Sequence, residues 1–170
     1  MKTITGMFII SLYFTNSKQD AEDITQETFI KAMRNIHQLT DRGKEKSWIL
    51  AVARNTAIDL IRKQKLIRLL PEKIRKDGSE TQNPSAVKGI MAEETWMELQ
   101  DALLRLKPRY RSVVILRALN ELNIKETAEA LNCSEGKVRV DYHRALKMLK
   151  SDLKLNEGWL DYEQSKTESE

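Results

Sequence analysis

Hydrophobic positions in the first third of the chain recur at the three- and four-residue spacing of a helix. Three helices are predicted there: residues 7–15, a second that begins after Ser17, and residues 47–65. Ser17 is suited to cap the second helix, with Asp20 three positions later as in a capping box. The buried stripe of the second helix is expected at Ala21, Ile24, Thr28 and Ala32. That of the third is expected at Ile49, Val52, Ala53, Thr56 and Leu60.

The hydrophobic pattern lapses over residues 71–90, where proline and glycine cluster and no apolar period is sustained. Helical spacing returns over residues 93–106, 111–119, 124–131 and 135–149, with a break at Pro108. We therefore predict an all-α protein with two small helical domains, residues 1–70 and 91–153, joined by a flexible linker at 71–90. The acidic stretch 154–170 is expected to be a disordered tail.

The last two predicted helices have the features of a helix-turn-helix. Ala128 is small enough for a second helix to cross close by, and Asn132 tolerates the positive φ that the turn needs. Ser134 would cap the second helix. Three apolar positions would close the corner: Leu131, Cys133 and Val138. The inward stripe would be Val138, Tyr142, Ala145 and Leu149. An ordinary antiparallel helix pair with a solvated charged face is the alternative.

The outward face of the second helix carries groups that suit DNA, since cations contact phosphates and polar groups contact base edges in the major groove. Its members are Lys137, Arg139, Val140, Asp141, His143 and Arg144. The whole chain has a net charge of +4, and its basic residues are concentrated in two blocks, 42–76 and 107–150. Two blocks predict two polyanion-binding surfaces, although Lys and Arg also coat ordinary helices.

The first basic block lies on the third predicted helix, with Arg54, Arg62, Lys63 and Lys65. Trp48 begins this helix and could stack on an unpaired base, although a tryptophan is more often part of a core. The second helix carries a compact acidic patch, Asp20, Glu22, Asp23 and Glu27. Helix N-terminal charge placement and a docking face for a basic protein both explain this patch, and the residues alone leave the two open.

The sequence offers little for enzyme chemistry. Cys133 is the only cysteine, there are two histidines, and the HExxH, GxSxG, GxGxxG and P-loop patterns are missing. We therefore expect a protein that is not an enzyme, with no catalytic residue, metal site or cofactor. A Mg²⁺-dependent nucleic-acid enzyme built on the acidic patch is an alternative. No apolar stretch approaches the roughly 20 residues of a membrane span, so we expect no membrane insertion and a cytoplasmic location.

Four runs of sequence resemble an extracytoplasmic-function (ECF) sigma factor of the sigma-70 family. They are DAEDITQETFIKA (20–32), SWILAVARNTAIDLIRKQK (47–65), LKPRYRSVVILR (106–117) and ETAEALNCSEGKVRVDYHRALKML (126–149), in the family's order. The resemblance covers about residues 7–150. It implies a σ2-like helical bundle, a σ4-like helix-turn-helix domain, and an alternative sigma factor that directs core RNA polymerase to promoters. A stand-alone helix-turn-helix regulator that does not recruit polymerase is the alternative function.

The resemblance also implies a role for each set of residues. The clamp helices of the largest polymerase subunit would contact Asp20, Glu22, Asp23, Gln26 and Glu27. The −10 element would be recognised and melted by Arg42, Lys44, Lys46, Trp48, Arg54, Asn55, Arg62 and Lys63. The −35 element would be recognised by Ser134, Lys137, Arg139, Asp141, His143 and Arg144. The σ4-like domain would contact the flap of the second-largest subunit, and an anti-sigma factor, often membrane-anchored in this family, would hold the protein inactive.

The chain departs from the family at Asp141, where members often carry a basic residue. An outward-facing carboxylate there would repel phosphate or accept a hydrogen bond from a cytosine amino group. Less helix also precedes residue 20 than is usual in the family.

Overall fold

The computed structural model describes residues 2–69 and 93–153, and every regular element within them is helical. The α-helices of these ranges are α1 Lys2–Thr15, α2 Lys18–Asn35, α3 Glu45–Arg68, α4 Glu93–Arg105, α5 Pro108–Val114, α6 Ile124–Leu131 and α7 Glu135–Leu153. Two 3₁₀ turns, Ile36–Gln38 and Arg42–Lys44, join α2 to α3, and α5 continues into a π-helical turn, Ile115–Leu119. The all-α prediction is confirmed. The linker predicted at 71–90 and the tail predicted at 154–170 lie outside the described residues.

The packing of α2 follows its sequence pattern. Its buried residues are the four that the spacing predicts: Ala21, Ile24, Thr28 and Ala32. Ser17 caps the helix, because its Oγ accepts a hydrogen bond from the Asp20 backbone nitrogen at 3.1 Å. The Asp20 carboxylate does not complete a capping box. It accepts a hydrogen bond from Gln64 Nε2 on α3 at 3.1 Å instead, and so ties α2 to α3.

The prediction was less accurate for the faces and ends of the other helices. The fully buried apolar residues of α3 are Leu50, Ala53 and Ala57, whereas Ile49 and Val52 are only half-buried. This helix packs against α1 and α2 on one side and against α6 on another, so it has no single buried stripe. Pro108 begins α5 rather than only interrupting a helix, since the first N–H of a helix has no partner and a proline there loses nothing.

One hydrophobic core runs through both halves of the chain. In it α1 lies against α4 and the π-helical turn, and α3 lies against α6. Gly6 lies at a close approach of the two halves, because a Cβ at this position would lie 2.3 Å from Oδ1 of Asn120. A glycine costs a helix interior about 1 kcal/mol relative to alanine. The approach of Asn120 is a physical reason for a residue without Cβ within α1.

Arg111 lies buried between the two halves and binds helix ends from both. Its guanidinium donates from Nε to the Leu103 carbonyl at 2.8 Å and from an Nη to the Leu104 carbonyl at 2.6 Å, both in the last turn of α4. The other Nη donates to the Phe14 carbonyl, in the last turn of α1, at 3.4 Å. Carbonyls at a helix C-terminus have no partner within their own helix. Burial lowers the pKa of Arg111, but an arginine stays protonated and can satisfy them.

Replacing Arg111 is therefore expected to destabilise the fold. Arg111→Met should lower the free energy of unfolding by about 3 kcal/mol or more, because several buried carbonyls lose their donor. Urea denaturation followed by circular dichroism measures this loss. Arg105→Met is the matched control: Arg105 pairs with Asp152 at 2.9 Å on the surface, where an ion pair contributes about 1 kcal/mol or less. Equal losses in the two variants would contradict the role assigned to Arg111.

Candidate nucleic-acid and polymerase interfaces

The polar residues predicted to dock a partner on α2 do not all face the same way. Asp23, Gln26 and Glu27 are exposed on one side of the helix. Glu22 is partly buried and pairs with Lys18 at 3.9 Å, while the carboxylate of Asp20 is bound by α3. Glu27 also pairs with a neighbour on α2, Lys31, at 3.7 Å, and remains half-exposed. By exposure, the acidic surface of α2 consists of Asp23, Gln26 and Glu27.

An apolar surface continues this acidic surface along α2. Ile30 and Met33 follow Gln26 at one and two turns, and 77% of Met33 is exposed. Phe29 and Ile36 are also exposed large hydrophobic residues. Contiguous exposed apolar residues mark interaction surfaces more often than scattered ones do. The sequence pattern did not assign these four residues to an interface, because their spacing continues the buried stripe and only packing distinguishes the two.

Three of the residues predicted for the −10 element lie along one side of α3. Trp48, Asn55 and Arg62 recur every seven positions, which is almost two full turns. Asn55 and Arg62 are exposed, as is the neighbouring Lys63, whereas Trp48 is partly buried. The Arg62 guanidinium lies 3.8 Å from Asp59 in an exposed pair. This side of α3 presents cations and a polar amide to solvent, a combination suited to a phosphate backbone.

A groove opens beside Trp48, between the end of α2, the 3₁₀ turn Arg42–Lys44 and the start of α3. Its volume is about 670 Å³, and its lining includes Met33, Ile36, Trp48 and Ile49 with Arg42 and Lys46. Asp41 holds the turn, since its carboxylate accepts a hydrogen bond from the Gly43 backbone nitrogen at 2.8 Å. The lining also includes one acidic residue, Glu45, so the two cations outnumber it. Apolar walls with a net positive charge suit a planar ring attached to a phosphate chain.

Two other cations predicted for the −10 element contact the C-terminal half instead. Arg54 donates from Nε to the Ser112 hydroxyl at 2.8 Å, and burial lowers its pKa. Lys44 pairs with Glu129 of α6 at 2.7 Å, a contact that raises the pKa of Lys44. In this arrangement each of the two cations has a partner in the C-terminal half, and their contact with DNA stays a prediction.

The helix-turn-helix has the geometry that the sequence predicts. Asn132 adopts φ 49° and ψ 54°, the left-handed conformation that redirects the chain between α6 and α7. Ser134 accepts a hydrogen bond from the Lys137 backbone nitrogen at 3.3 Å and so caps α7. The inward residues of α7 are buried as predicted: Val138, Tyr142, Ala145 and Leu149. Five of the six proposed −35 residues are exposed at its N-cap or in its first half: Ser134, Lys137, Arg139, His143 and Arg144.

Asp141 is the exception, and the prediction that it faces outward was wrong. Its side chain is only 4% exposed, and the carboxylate pairs with Arg109 at the start of α5 and with Lys137 at 3.7 Å. The signal lay in the helical period, since residue 141 follows the buried Val138 by three positions and precedes the buried Ala145 by four. A charged residue at such a position is easily assigned to the surface.

Within residues 2–69 and 93–153, the acidic residues form no cluster that could hold a metal ion. Of the helices in these ranges, none is long and apolar enough to cross a membrane.

Comparison with known proteins assigns the two halves to a family. Residues 9–67 match the model of sigma-70 region 2, and residues 96–149 match that of sigma-70 region 4. The chain belongs to the ECF sigma factors of the sigma-70 family. It is 34% identical over 146 residues to the ECF RNA polymerase sigma factor SigX of Bacillus subtilis (strain 168), an alignment that covers 84% of this chain and 75% of the relative. SigM of the same organism is 34% identical over 148 residues, which cover 85% of each chain.

Solved structures share the fold of this sigma factor at lower identity. One is the sigma factor RpoE in complex with the anti-sigma factor NepR from Bartonella quintana, with a TM-score of 0.69 at 18% identity over 91% of this chain and 93% of that one. Another is CnrH in complex with the cytosolic domain of CnrY, with a TM-score of 0.64 at 20% identity over 88% of this chain and 81% of that one. At these identities the likeness concerns the fold.

The family regions coincide with the surfaces described above. Region 2 contains the acidic surface of α2, the groove and the basic side of α3, while region 4 contains the helix-turn-helix. Regions 2 and 4 are in direct contact, through Arg54 with Ser112, through Lys44 with Glu129, and through Gln100, whose Nε2 donates to the Leu12 carbonyl at 3.0 Å. Arg54 and Lys44, two basic residues predicted to bind the −10 element, therefore also take part in the contact between region 2 and region 4.

The turn of the helix-turn-helix provides a test of local geometry. Asn132→Gly should preserve stability, whereas Asn132→Ala should be less stable than Asn132→Gly by about 1 kcal/mol, because a Cβ is unfavourable in the left-handed conformation. Thermal unfolding of the two variants measures the difference. An alanine variant as stable as the glycine variant would show that the chain does not need this conformation at residue 132.

Proposed function

We propose that this sigma factor binds core RNA polymerase and directs it to promoters, with region 2 recognising and melting the −10 element and region 4 recognising the −35 element. We assign residues 1–70 to the region 2 domain, 71–90 to a linker, 91–153 to the region 4 domain and 154–170 to a tail. The protein acts by binding in the cytoplasm and is not an enzyme. The supporting observation is that one chain presents an acidic and apolar surface, a basic helix side and a helix-turn-helix. A stand-alone regulator would need only the helix-turn-helix.

The acidic surface of α2 and the apolar residues that continue it are proposed to contact the clamp helices of the largest polymerase subunit. Asp23, Gln26 and Glu27 would supply the polar contacts, and Ile30 and Met33 the buried area. Interfaces of this kind combine an apolar centre with a polar rim. Asp20 is proposed to act less directly, since its carboxylate is bound by Gln64 of α3, and Glu22 is proposed to lie at the edge of the surface, since it is less exposed than Asp23 and Glu27. Region 4 would contact the flap of the second-largest subunit.

The basic side of α3 is proposed to hold the unpaired strand of the −10 element. Asn55, Arg62 and Lys63 would follow its phosphates, and the groove beside Trp48 would accept one unstacked base. Arg42 and Lys46 line that groove and would contact the phosphates on either side of the base. In region 4, α7 would enter the major groove of the −35 element with the five residues exposed at its N-cap and in its first half: Ser134, Lys137, Arg139, His143 and Arg144.

Engagement of the promoter by Arg54 and Lys44 is proposed to require that region 2 and region 4 separate. Both cations have partners in region 4, so a DNA strand at these residues and region 4 would compete for the same donors. We also propose an anti-sigma factor as the regulator, membrane-anchored as is frequent in the family. Two proteins of the same fold have been solved in complexes: the sigma factor RpoE with the anti-sigma factor NepR, and CnrH with the cytosolic domain of CnrY.

Two substitutions test the division of labour between the regions. Arg144→Ala should weaken binding to a duplex −35 element about tenfold and make it less dependent on salt, because a cation leaves the DNA interface. Asp23→Ala should weaken binding to core polymerase and leave duplex binding unchanged. Fluorescence anisotropy measures the first, with a duplex selected by the holoenzyme from a promoter library, and a titration with labelled sigma factor measures the second. Arg34→Ala and Glu98→Ala are charge-matched controls at exposed sites. Equal effects of both substitutions on one activity would refute the assignment.

A reversible crosslink tests whether the regions must separate. Built on Gly6, a Cβ lies 3.5 Å from Cγ of Asn120, so cysteines at the two positions are close enough for a disulfide. In a Cys133→Ser background, oxidised Gly6→Cys/Asn120→Cys should bind a single-stranded −10 probe at least tenfold more weakly than the reduced form. Dithiothreitol should restore binding. Asn120→Cys alone, which keeps Gly6 and receives the same oxidant, controls for damage. Equal binding by the oxidised and reduced double variant would show that separation is not needed.

A further inference from the structure

The ion pairs around Asp141 join two helices of region 4 at one end of the helix-turn-helix. Arg109 lies at the start of α5, outside the helix-turn-helix, and Lys137 lies one turn before Asp141 on α7. The carboxylate between them is 4% exposed, whereas the side chains of Arg109 and Lys137 are 49% and 45% exposed. The buried anion thus holds two cations whose outer parts remain in solvent.

This arrangement has a physical consequence for the two cations. A long basic side chain loses conformational freedom when it binds a ligand, and the loss is smaller when a neighbour already orients it. Asp141 accepts from one Nη of Arg109, and the guanidinium of an arginine carries five N–H donors, so others are left for a second anion. The three charged groups together carry one net positive charge. The exposed donors of Arg109 and Lys137, with this net positive charge, suit a phosphate.

We propose that Arg109 is a further phosphate-contacting residue of region 4 and that Asp141 is the positioning residue that holds it beside Lys137. The proposal rests on the proposed binding of the −35 element by α7. Lys137 near the start of α7 contacts the groove or its edge, and Arg109 reaches a phosphate flanking it from α5. Region 4 then contacts the duplex through both α5 and α7, and the orientation of α5 relative to α7 contributes to binding.

The sign of the effect of Asp141→Asn separates positioning from simple repulsion. An anion that only lies near DNA weakens binding, so its neutralisation would strengthen binding in any background. A positioning carboxylate gives the opposite result as long as Arg109 is present. We expect Asp141→Asn to weaken duplex binding about threefold in the unchanged chain and by clearly less when Arg109 is already alanine, where only Lys137 is left for the carboxylate to orient, since residues in contact act non-additively.

The experiment measures binding of the full chain to a labelled −35 duplex over a range of salt concentrations. Four proteins form the cycle: the unchanged chain, Arg109→Ala, Asp141→Asn and the double variant. Arg109→Ala should weaken binding about fivefold and reduce the slope of log affinity against log salt by about one. Arg109→Lys should keep the slope of the unchanged chain and recover part of the affinity that Arg109→Ala loses. The positive charge remains, but an ammonium cannot make the two parallel hydrogen bonds of a guanidinium. Arg105→Ala, which removes an exposed arginine of the same region, should change neither quantity.

Folding and function are controlled separately. Circular dichroism and titration of the active fraction establish that each variant is folded at the temperature of the assay. Unchanged affinity and slope in Arg109→Ala, or stronger binding by Asp141→Asn in both backgrounds, would overturn the inference while Arg144→Ala still tests the proposed function. Failure of the unchanged chain to bind the duplex would overturn both.

Discussion

The carbonyl groups at the ends of two helices set the central constraint on this structure. α1 and α4 end close together in the interior, where each unpaired carbonyl would be costly. Arg111 supplies the donors for both ends from a single buried guanidinium and also lies over the ring of Phe14, 5.3 Å from its centroid. The continuous core, the contact of α3 with α6 and the fit of Gly6 against Asn120 join the same two halves of the chain that Arg111 binds.

The same contact between the halves changes how the basic residues of the sigma factor are used. Arg62 and Lys63 remain in solvent, where a strand could reach them. Arg54 and Lys44, on the other hand, are neutralised or satisfied within the protein by Ser112 and Glu129. A positive charge counted from the sequence is therefore not equivalent to a positive charge available for DNA. In this chain the difference lies in cations that face region 4.

In region 4 a buried carboxylate, that of Asp141, is paired with two cations. The Asp141 carboxylate is buried, which would be unfavourable for an isolated anion, and two cations compensate it. Arg109 and Lys137 belong to different helices, so the pair couples the position of α5 to that of α7. Neither partner loses its contact with solvent, and the surface near the start of α7 stays positive. The helix-turn-helix is thus supported by an electrostatic contact as well as by its apolar corner.

Local features of this protein were determined by the sequence alone. The stripe of α2, the caps at Ser17 and Ser134 and the left-handed Asn132 depend on residues within a few positions of one another, so a short stretch specifies each of them. The resemblance of four sequence runs also indicated the family correctly.

Only the tertiary structure decided which surfaces remain available. It turned Arg54 and Lys44 toward region 4, left Met33 uncovered among the described residues, and buried Asp141 against Arg109 from a position 32 residues away. Each of these outcomes depends on which helices pack together. Helical periodicity specifies which face of a helix a side chain occupies, but not which residues of other helices pack against that face.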